Sequence, residues 1–176
     1  MMADTRVAEP NDQAYPLIFQ FQDLVFGQGF SASVACYGRA VAKREDGRWW
    51  IHGVQPGGVS GPGDALGDAH LAFRRTLKEI LVDIASEGLA FDAFKTEVEV
   101  FFNDEDRGER FLWDAAVALF RDAKNVIDPA VGALPRRPAE SPCSVIVQRL
   151  DVADKERKVS FVGENVLDEL ALPEAA

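Results

Sequence analysis

Apolar and polar residues alternate over Leu17-Ile18-Phe19-Gln20-Phe21-Gln22, with Phe19 and Phe21 on one face and Gln20 and Gln22 on the other. That period of two predicts a half-buried strand. A turn at Gly27 and Gly29 leads into a longer predicted strand, Ser31 to Lys43, which carries Ser33, Val34, Tyr37 and Val41. Arg44-Glu45-Asp46-Gly47 then offers an Asp-Gly hairpin turn, and Arg48 to Val54 returns as a third strand. Three sequential strands joined by short connections form an antiparallel meander.

After the Gly- and Pro-rich loop Gln55 to Gly63 the period lengthens. Leu66, Ala69 or His70, Phe73, Leu77, Ile80 or Leu81, and Ile84 recur at helical spacing, and Asp68, Arg75, Lys78, Glu79 and Asp83 occupy the other side. Asp64 suits the N-cap and Gly88 the terminus. Each large apolar side chain gains about 1.5–3 kcal/mol on burial, so this stripe must face the sheet. Phe91, Phe94, Val98 and Phe101 fit a second helix, but Glu97-Val98-Glu99-Val100 alternates like a strand, so Thr96 to Phe102 stays open between the two. Asn103 to Gly108 reads as a loop and Glu109 to Lys124 as a further helix.

Pro129, Pro135, Pro138 and Pro142 mark Asp128 to Pro142 as a surface connection without an element of its own. Ser144 to Val152 and Lys158 to Val162 suggest a closing hairpin around Asp154-Lys155-Glu156-Arg157, with a short helical tail from Glu164 to Leu170. The expected layout is a disordered leader (1–14), a β-β-β-α core (15–88), a helical region (89–127), a Pro-rich connection (128–143), and a hairpin and tail (144–176). The fold class is α+β: a three-stranded antiparallel meander packed on an amphipathic helix, with extra helices and a C-terminal β-hairpin.

Composition narrows the function classes. Hydrophobic residues make up 47% of the 176, enough for a core. No run of eighteen apolar residues exists, and Met1 to Asn11 lacks the basic start and apolar middle of a signal peptide, so the chain is expected in the cytoplasm, off the membrane. Twenty-nine acidic against 19 basic residues give a formal charge of −10. Lys43-Arg44, Arg74-Arg75 and Arg136-Arg137 are short and scattered. Direct nucleic-acid binding, which draws on clustered cations, is therefore disfavoured, whereas docking on a basic protein suits the charge. Cys36 and Cys143 are expected to be buried free thiols.

Candidate chemistry is sparse. Pro56-Gly57-Gly58-Val59-Ser60-Gly61-Pro62-Gly63 precedes a helix N-terminus, but no Gly-Lys-Ser/Thr follows it and no parallel βαβ unit surrounds it. It reads as a tight turn needing several residues at positive φ. His52 and His70 follow no metal-ligand spacing with Cys36 or Cys143, so no metal or cofactor is expected. Ser60 and His70 lie near one another, without a nucleophile elbow around Ser60. Asp104-Glu105-Asp106 reads as a solvated run. Trp49 and Trp50 point to opposite faces of their strand, which places one in the core and the other at a protein-binding surface.

The junction Pro56-Gly57-Gly58-Val59-Ser60, followed by Gly63-Asp64-Ala65-Leu66 and Asp68-Ala69, resembles the HicB antitoxin family, a partial RNase H-like domain. The likeness spans roughly Tyr15 to Glu87. It implies a non-enzymatic, protein-binding or regulatory module that docks on a partner such as a basic toxin-like protein. No segment resembles the family's DNA-binding helix-turn-helix or ribbon-helix-helix, and 89–176 has no counterpart. Two other readings stand beside it: a small-molecule site or enzyme pocket between the sheet and the Leu89–Lys124 helices, and a homodimer formed through an edge strand.

Overall fold

A computed structural model describes residues 13–121, 127–138, 142–151 and 169–174. Residues 1–12 of the expected leader (1–14), the second hairpin arm (158–162) and residues 164–168 of the expected helical tail lie outside the described residues. The α+β class holds, with a mostly antiparallel sheet, but among the described residues the sheet has seven strands where a three-stranded meander and a C-terminal hairpin are predicted.

The meander forms its centre. Strand β1 (Tyr15–Gly27) pairs along its whole length with β2 (Phe30–Glu45), and β2 pairs with β3 (Arg48–Gln55). The second hairpin turns on Asp46 and Gly47, both at positive φ (50° and 80°), the geometry that lets a two-residue loop follow the strand twist. Strand β2 serves two partners on the same edge. Its Arg39–Glu45 half pairs with β3, and its Ala32–Tyr37 half pairs with β6 (Ser144–Arg149). An irregularity at Arg39/Ala40 marks the changeover.

Three expectations are corrected at the rim of this sheet. Ser60–Gly63, read as loop, is strand β4 on the far edge of β3, from Trp49↔Gly63 to His52↔Ser60. Asp128–Pro142 is not featureless. Asp128 caps a single turn, α4 (Pro129–Gly132), by accepting from the Ala130 amide at 2.9 Å, and Arg136–Pro138 forms β5. The first hairpin arm forms β6, which pairs with β2, and its expected partner arm lies outside the described residues. Leu170, placed at the end of a helical tail, instead begins β7 (Leu170–Glu174), which lies antiparallel to β1 and parallel to β5.

One face of the sheet carries Leu17, Phe19 and Phe21 of β1, Val34 and Cys36 of β2, and Trp49 and Ile51 of β3, all buried. Helix α1 (Leu66–Ser86) lies across that face and buries Leu66, Ala69, His70, Phe73, Leu77, Leu81 and Ala85, the predicted stripe. Phe73 meets Phe19 edge-on, with ring centroids 5.1 Å apart. Asp64 does not cap α1: Ala65 is the N-cap residue, its amide donates to Asp68 Oδ2 at 3.2 Å, and Asp64 instead accepts from Arg48. Gly88, at φ 73°, ends the helix. Helix α2 (Phe91–Asn103) settles the open segment Thr96–Phe102 as helix, because Phe94, Val98 and Phe102 all bury on one side beside α1.

The glycines before α1 work differently from the expectation. Among Gly57, Gly58, Gly61 and Gly63 only Gly58 has positive φ, at 70°. Gly61 is required by proximity: a Cβ there would lie 2.0 Å from the Phe73 backbone nitrogen and 2.6 Å from the Ala69 carbonyl oxygen. Helix α1 thus rests directly on the backbone of β4.

Helix α3 (Arg107–Arg121) covers part of the opposite face, where Trp113 and Val117 pack on Val41 and Val54 in a second, smaller core. It begins two residues before the predicted Glu109, and 122–126 are outside the described residues. Among the described residues no helix is long and apolar enough to cross a membrane.

Candidate functional site

A cavity of about 210 Å³ opens between β3, β4 and the start of α3, lined by His52, Gly53, Gly58, Val59, Ser60, Asp106 and Glu109. Strand parity brings His52 there. Trp49 and Ile51 turn inward to α1, so Trp50, His52 and Val54 turn to the α3 side. Trp50 stacks on the His52 ring with centroids 5.6 Å apart and planes at 14°.

Two loops are joined by backbone to shape the other wall. The Gly57 amide donates to the Asp104 carbonyl at 2.7 Å, and the Asp106 amide donates to the Val54 carbonyl at 3.0 Å. A Cβ on Gly57 would come within 2.8 Å of the Asp106 nitrogen, so close approach depends on glycine there. Asp106 Oδ1 accepts from the Glu109 amide at 3.0 Å, capping α3 and fixing Glu109 in its first turn. The predicted solvated run is exposed throughout, and Asp106 within it also lines the cavity.

The charges are arranged as a chain. Glu109 Oε1 lies 3.8 Å from Lys43 Nζ, which is 2.9 Å from Glu45 Oε1, which in turn is 3.7 Å from His52 Nε2. That last separation is too long for a hydrogen bond. His52 Nε2 and Glu109 Oε2 are both buried atoms without a hydrogen-bond partner. Burial is the main influence holding the His52 pKa below the usual imidazole value; nearby Lys43 adds to it, and Glu109, Glu45 and Asp106 oppose it. The ring is therefore neutral at pH 7, and in the tautomer protonated on Nδ1 it offers Nε2 as an acceptor.

Buried donors and acceptors are ordinarily satisfied by protein or by ordered water, so two orphaned atoms beside one cavity mark a place where water or a ligand completes the pairing. No three His, Cys, Asp or Glu groups among the described residues converge closely enough to hold a metal ion. The chemistry available is hydrogen bonding and charge recognition.

The other histidine is engaged elsewhere. His70, 1% exposed, has Nε2 3.2 Å from Glu169 Oε2, and Arg74 pairs with the same carboxylate while donating to the Gln22 carbonyl at 2.9 Å. Burial pushes the Glu169 pKa up, but the hydrogen bonds from His70 and Arg74 together outweigh it and leave it below the usual value. This group anchors the start of β7 to α1 and β1. His70 pairs with Glu169, whereas Ser60 stands opposite His52 on the neighbouring strand and lines the cavity. Cys36 is buried and Cys143 half-buried, both free. Burial, with a smaller contribution from Cys143, pushes the Cys36 thiol up to about 12, so neither its position nor its ionisation suits a nucleophile.

Of the two tryptophans, Trp49 is the core residue, 1% exposed, with Arg44 over its ring at 4.6 Å. Trp50 is half-buried beside the cavity. Sequence reasoning singled out Trp50 but missed His52, Asp106 and Glu109 as a group. The one available signal was the proximity of His52 to the glycine-rich stretch. Comparison with family models, with curated proteins and with solved structures found no match.

Proposed function

We propose that the chain is a binding module that holds a small polar group in the cavity between β3–β4 and the α2–α3 junction. One observation carries this reading: His52 Nε2 and Glu109 Oε2 are buried, lack partners and belong to side chains lining the same cavity. Ligand sites characteristically combine a concave surface with a few placed polar groups and a perturbed titratable residue, and His52 supplies the last. The test is a fragment screen on the isotopically labelled full chain, read by amide shifts. Saturable shifts confined to Gly53, Gly58, Ser60 and Glu109 are expected, and they should be lost in a His52→Phe, Glu109→Leu variant that keeps its fold. Fragments that leave these amides unmoved while shifting others would refute the site.

A second reading, the docking on a basic protein that the HicB resemblance implies, draws its support from α3, a helix outside the stretch that carries the likeness. There Phe111 is 74% and Leu119 51% exposed, with exposed Ala115 and Ala118 beside them. Such a stripe facing solvent suits a protein partner, and the formal charge of −10 suits a basic one. Its test is whether the adjacent reading frame encodes a small basic protein that co-purifies with the chain and is lost from a Phe111→Asp, Leu119→Asp variant. Absence of a basic neighbour, or co-purification indifferent to the variant, removes this reading.

A further inference from the structure

We infer that the group this cavity takes is a compact organic cation, an alkylammonium or guanidinium head, clasped between the Glu109 carboxylate and the imidazole nitrogen of His52. The inference rests on the binding reading above and adds the ligand's chemistry.

The lining is rich in acceptors. Glu109 Oε2 is buried and unpaired, and it belongs to a carboxylate whose other oxygen is 3.8 Å from Lys43, beyond hydrogen-bond reach. His52 Nε2 offers a lone pair in the tautomer that carries its proton on Nδ1. Asp106 lines the same wall, and Glu45 stands 3.7 Å behind His52. Against the carboxylates of Glu45, Asp106 and Glu109 stands, among the described residues, the ammonium of Lys43, already 2.9 Å from Glu45. An anion would meet net repulsion at this wall. A group that can only accept would leave Glu109 Oε2 unsatisfied.

A donor-bearing cation satisfies Glu109 Oε2 and, in the Nδ1–H tautomer, His52 Nε2 as well, and charge-assisted hydrogen bonds are roughly twice as strong as neutral ones. A divalent metal is the rival cation, but it needs converging ligands, and no such group of three exists among the described residues. Size points the same way. The cavity, about 210 Å³, is smaller than the sites of about 300–1,000 Å³ that enclose drug-sized molecules, so it suits a head group and not a large ligand. Two sources could present that head group: a free small amine, or the Lys or Arg side chain of a partner.

The experiment titrates methylguanidinium and n-butylammonium into the labelled full chain, with methylurea as the neutral planar counterpart, following the amides of Gly58, Ser60 and Glu109. The cations should saturate these shifts at least tenfold more tightly than methylurea. Glu109→Gln, which keeps the shape of the side chain, should weaken them at least tenfold with an unchanged circular dichroism spectrum, and added salt should weaken them further. N-acetyl-arginine amide and N-acetyl-lysine amide separate the sources: tighter binding than the free cations assigns a partner's side chain, and exclusion assigns a free amine. Methylurea binding as well as the cations overturns the inference while leaving the binding site in place. No shift with cations or methylurea, alongside a fragment screen equally silent at these amides, overturns both.

Discussion

Replacing Gly61 by alanine should destabilise the chain strongly, because the backbone of α1 leaves no room for a methyl group there. The added Cβ would sit 2.0 Å from the Phe73 nitrogen, 2.6 Å from the Phe73 Cα and 2.6 Å from the Ala69 oxygen. All three are backbone atoms of α1, so no side-chain rotation relieves the contact. The helix must lift off β4 and carry Phe73 away from Phe19 and Leu77 away from the sheet. Overpacking of a well-filled core costs about 1–3 kcal/mol and occasionally more, and a contact with helix backbone belongs at the upper end, about 3 kcal/mol. At about 2–4 °C per kcal/mol for a chain of this size, the melting temperature should fall by about 6–12 °C. Gly132→Ala is the control, because its Cβ would make an ordinary contact, 3.6 Å from Ile127 Cγ2. That change should be neutral or stabilise by up to about 1 kcal/mol, through the lower entropy of the unfolded chain. Urea unfolding followed by circular dichroism measures both. If Gly61→Ala unfolds within about 0.5 kcal/mol of Gly132→Ala, α1 does not lie on the backbone of β4 and the wall formed by Val59 and Ser60 is misplaced.

Three further outcomes are expected. His52 has a folded pKa below its unfolded value, so the unfolded chain binds the proton more readily. Stability should therefore be lost as pH falls below about 6.5, the ordinary imidazole value, toward the lower folded value. His52→Gln should flatten that acid-side slope in urea midpoints taken from pH 7.5 to 5, and an unchanged slope would contradict the burial of the ring. Glu169→Ala strands His70 and Arg74 and should cost about 1.5–3 kcal/mol, the loss expected for hydrogen bonds to a charged group; hydrogen exchange should accelerate first in β7, and uniform acceleration across the sheet would argue against an anchoring role. Trp49→Ala should cost about 3–5 kcal/mol by emptying a core site, whereas Trp50→Ala should cost far less while weakening ligand binding at the cavity; equal losses in urea unfolding would contradict the assignment of faces.

The parts of the fold legible in the amino-acid pattern are those with one wet face and one dry one. Phe19 and Phe21 alternate with Gln20 and Gln22 because β1 is covered on the α1 side, and the α1 stripe is readable for the same reason. Legibility fails where that contrast fails. Leu170-Ala171-Leu172-Pro173 of β7 is buried at every position, so nothing alternates, and an apolar run of that length suits a helical tail equally well. Strand β4 is Ser-Gly-Pro-Gly, a composition that marks turns. It is a strand because the outer edge of β3 offers unpaired amides and carbonyls, a fact about Trp49 to His52 and not about β4 itself. The same holds for β5, whose partner, β7, lies more than thirty residues on.

The site was hidden for a related reason, and that reason bears on what the cavity does. Its walls are joined by backbone hydrogen bonds from Gly57 to Asp104 and from Asp106 to Val54, contacts between segments about fifty residues apart that leave no mark on side-chain chemistry. Only the consequences are visible in residue types: a glycine where Asp106 must approach, and a carboxylate placed to cap α3. Asp106 has a structural task, since it fixes the helix start that delivers Glu109. Glu109 has no equivalent task on its second oxygen, and His52 has none on Nε2. A folding role accounts for Asp106, Gly57 and Gly61, but it leaves the two inward-facing polar atoms unexplained. Recognition of a donor-bearing group accounts for those two atoms and requires no further residue.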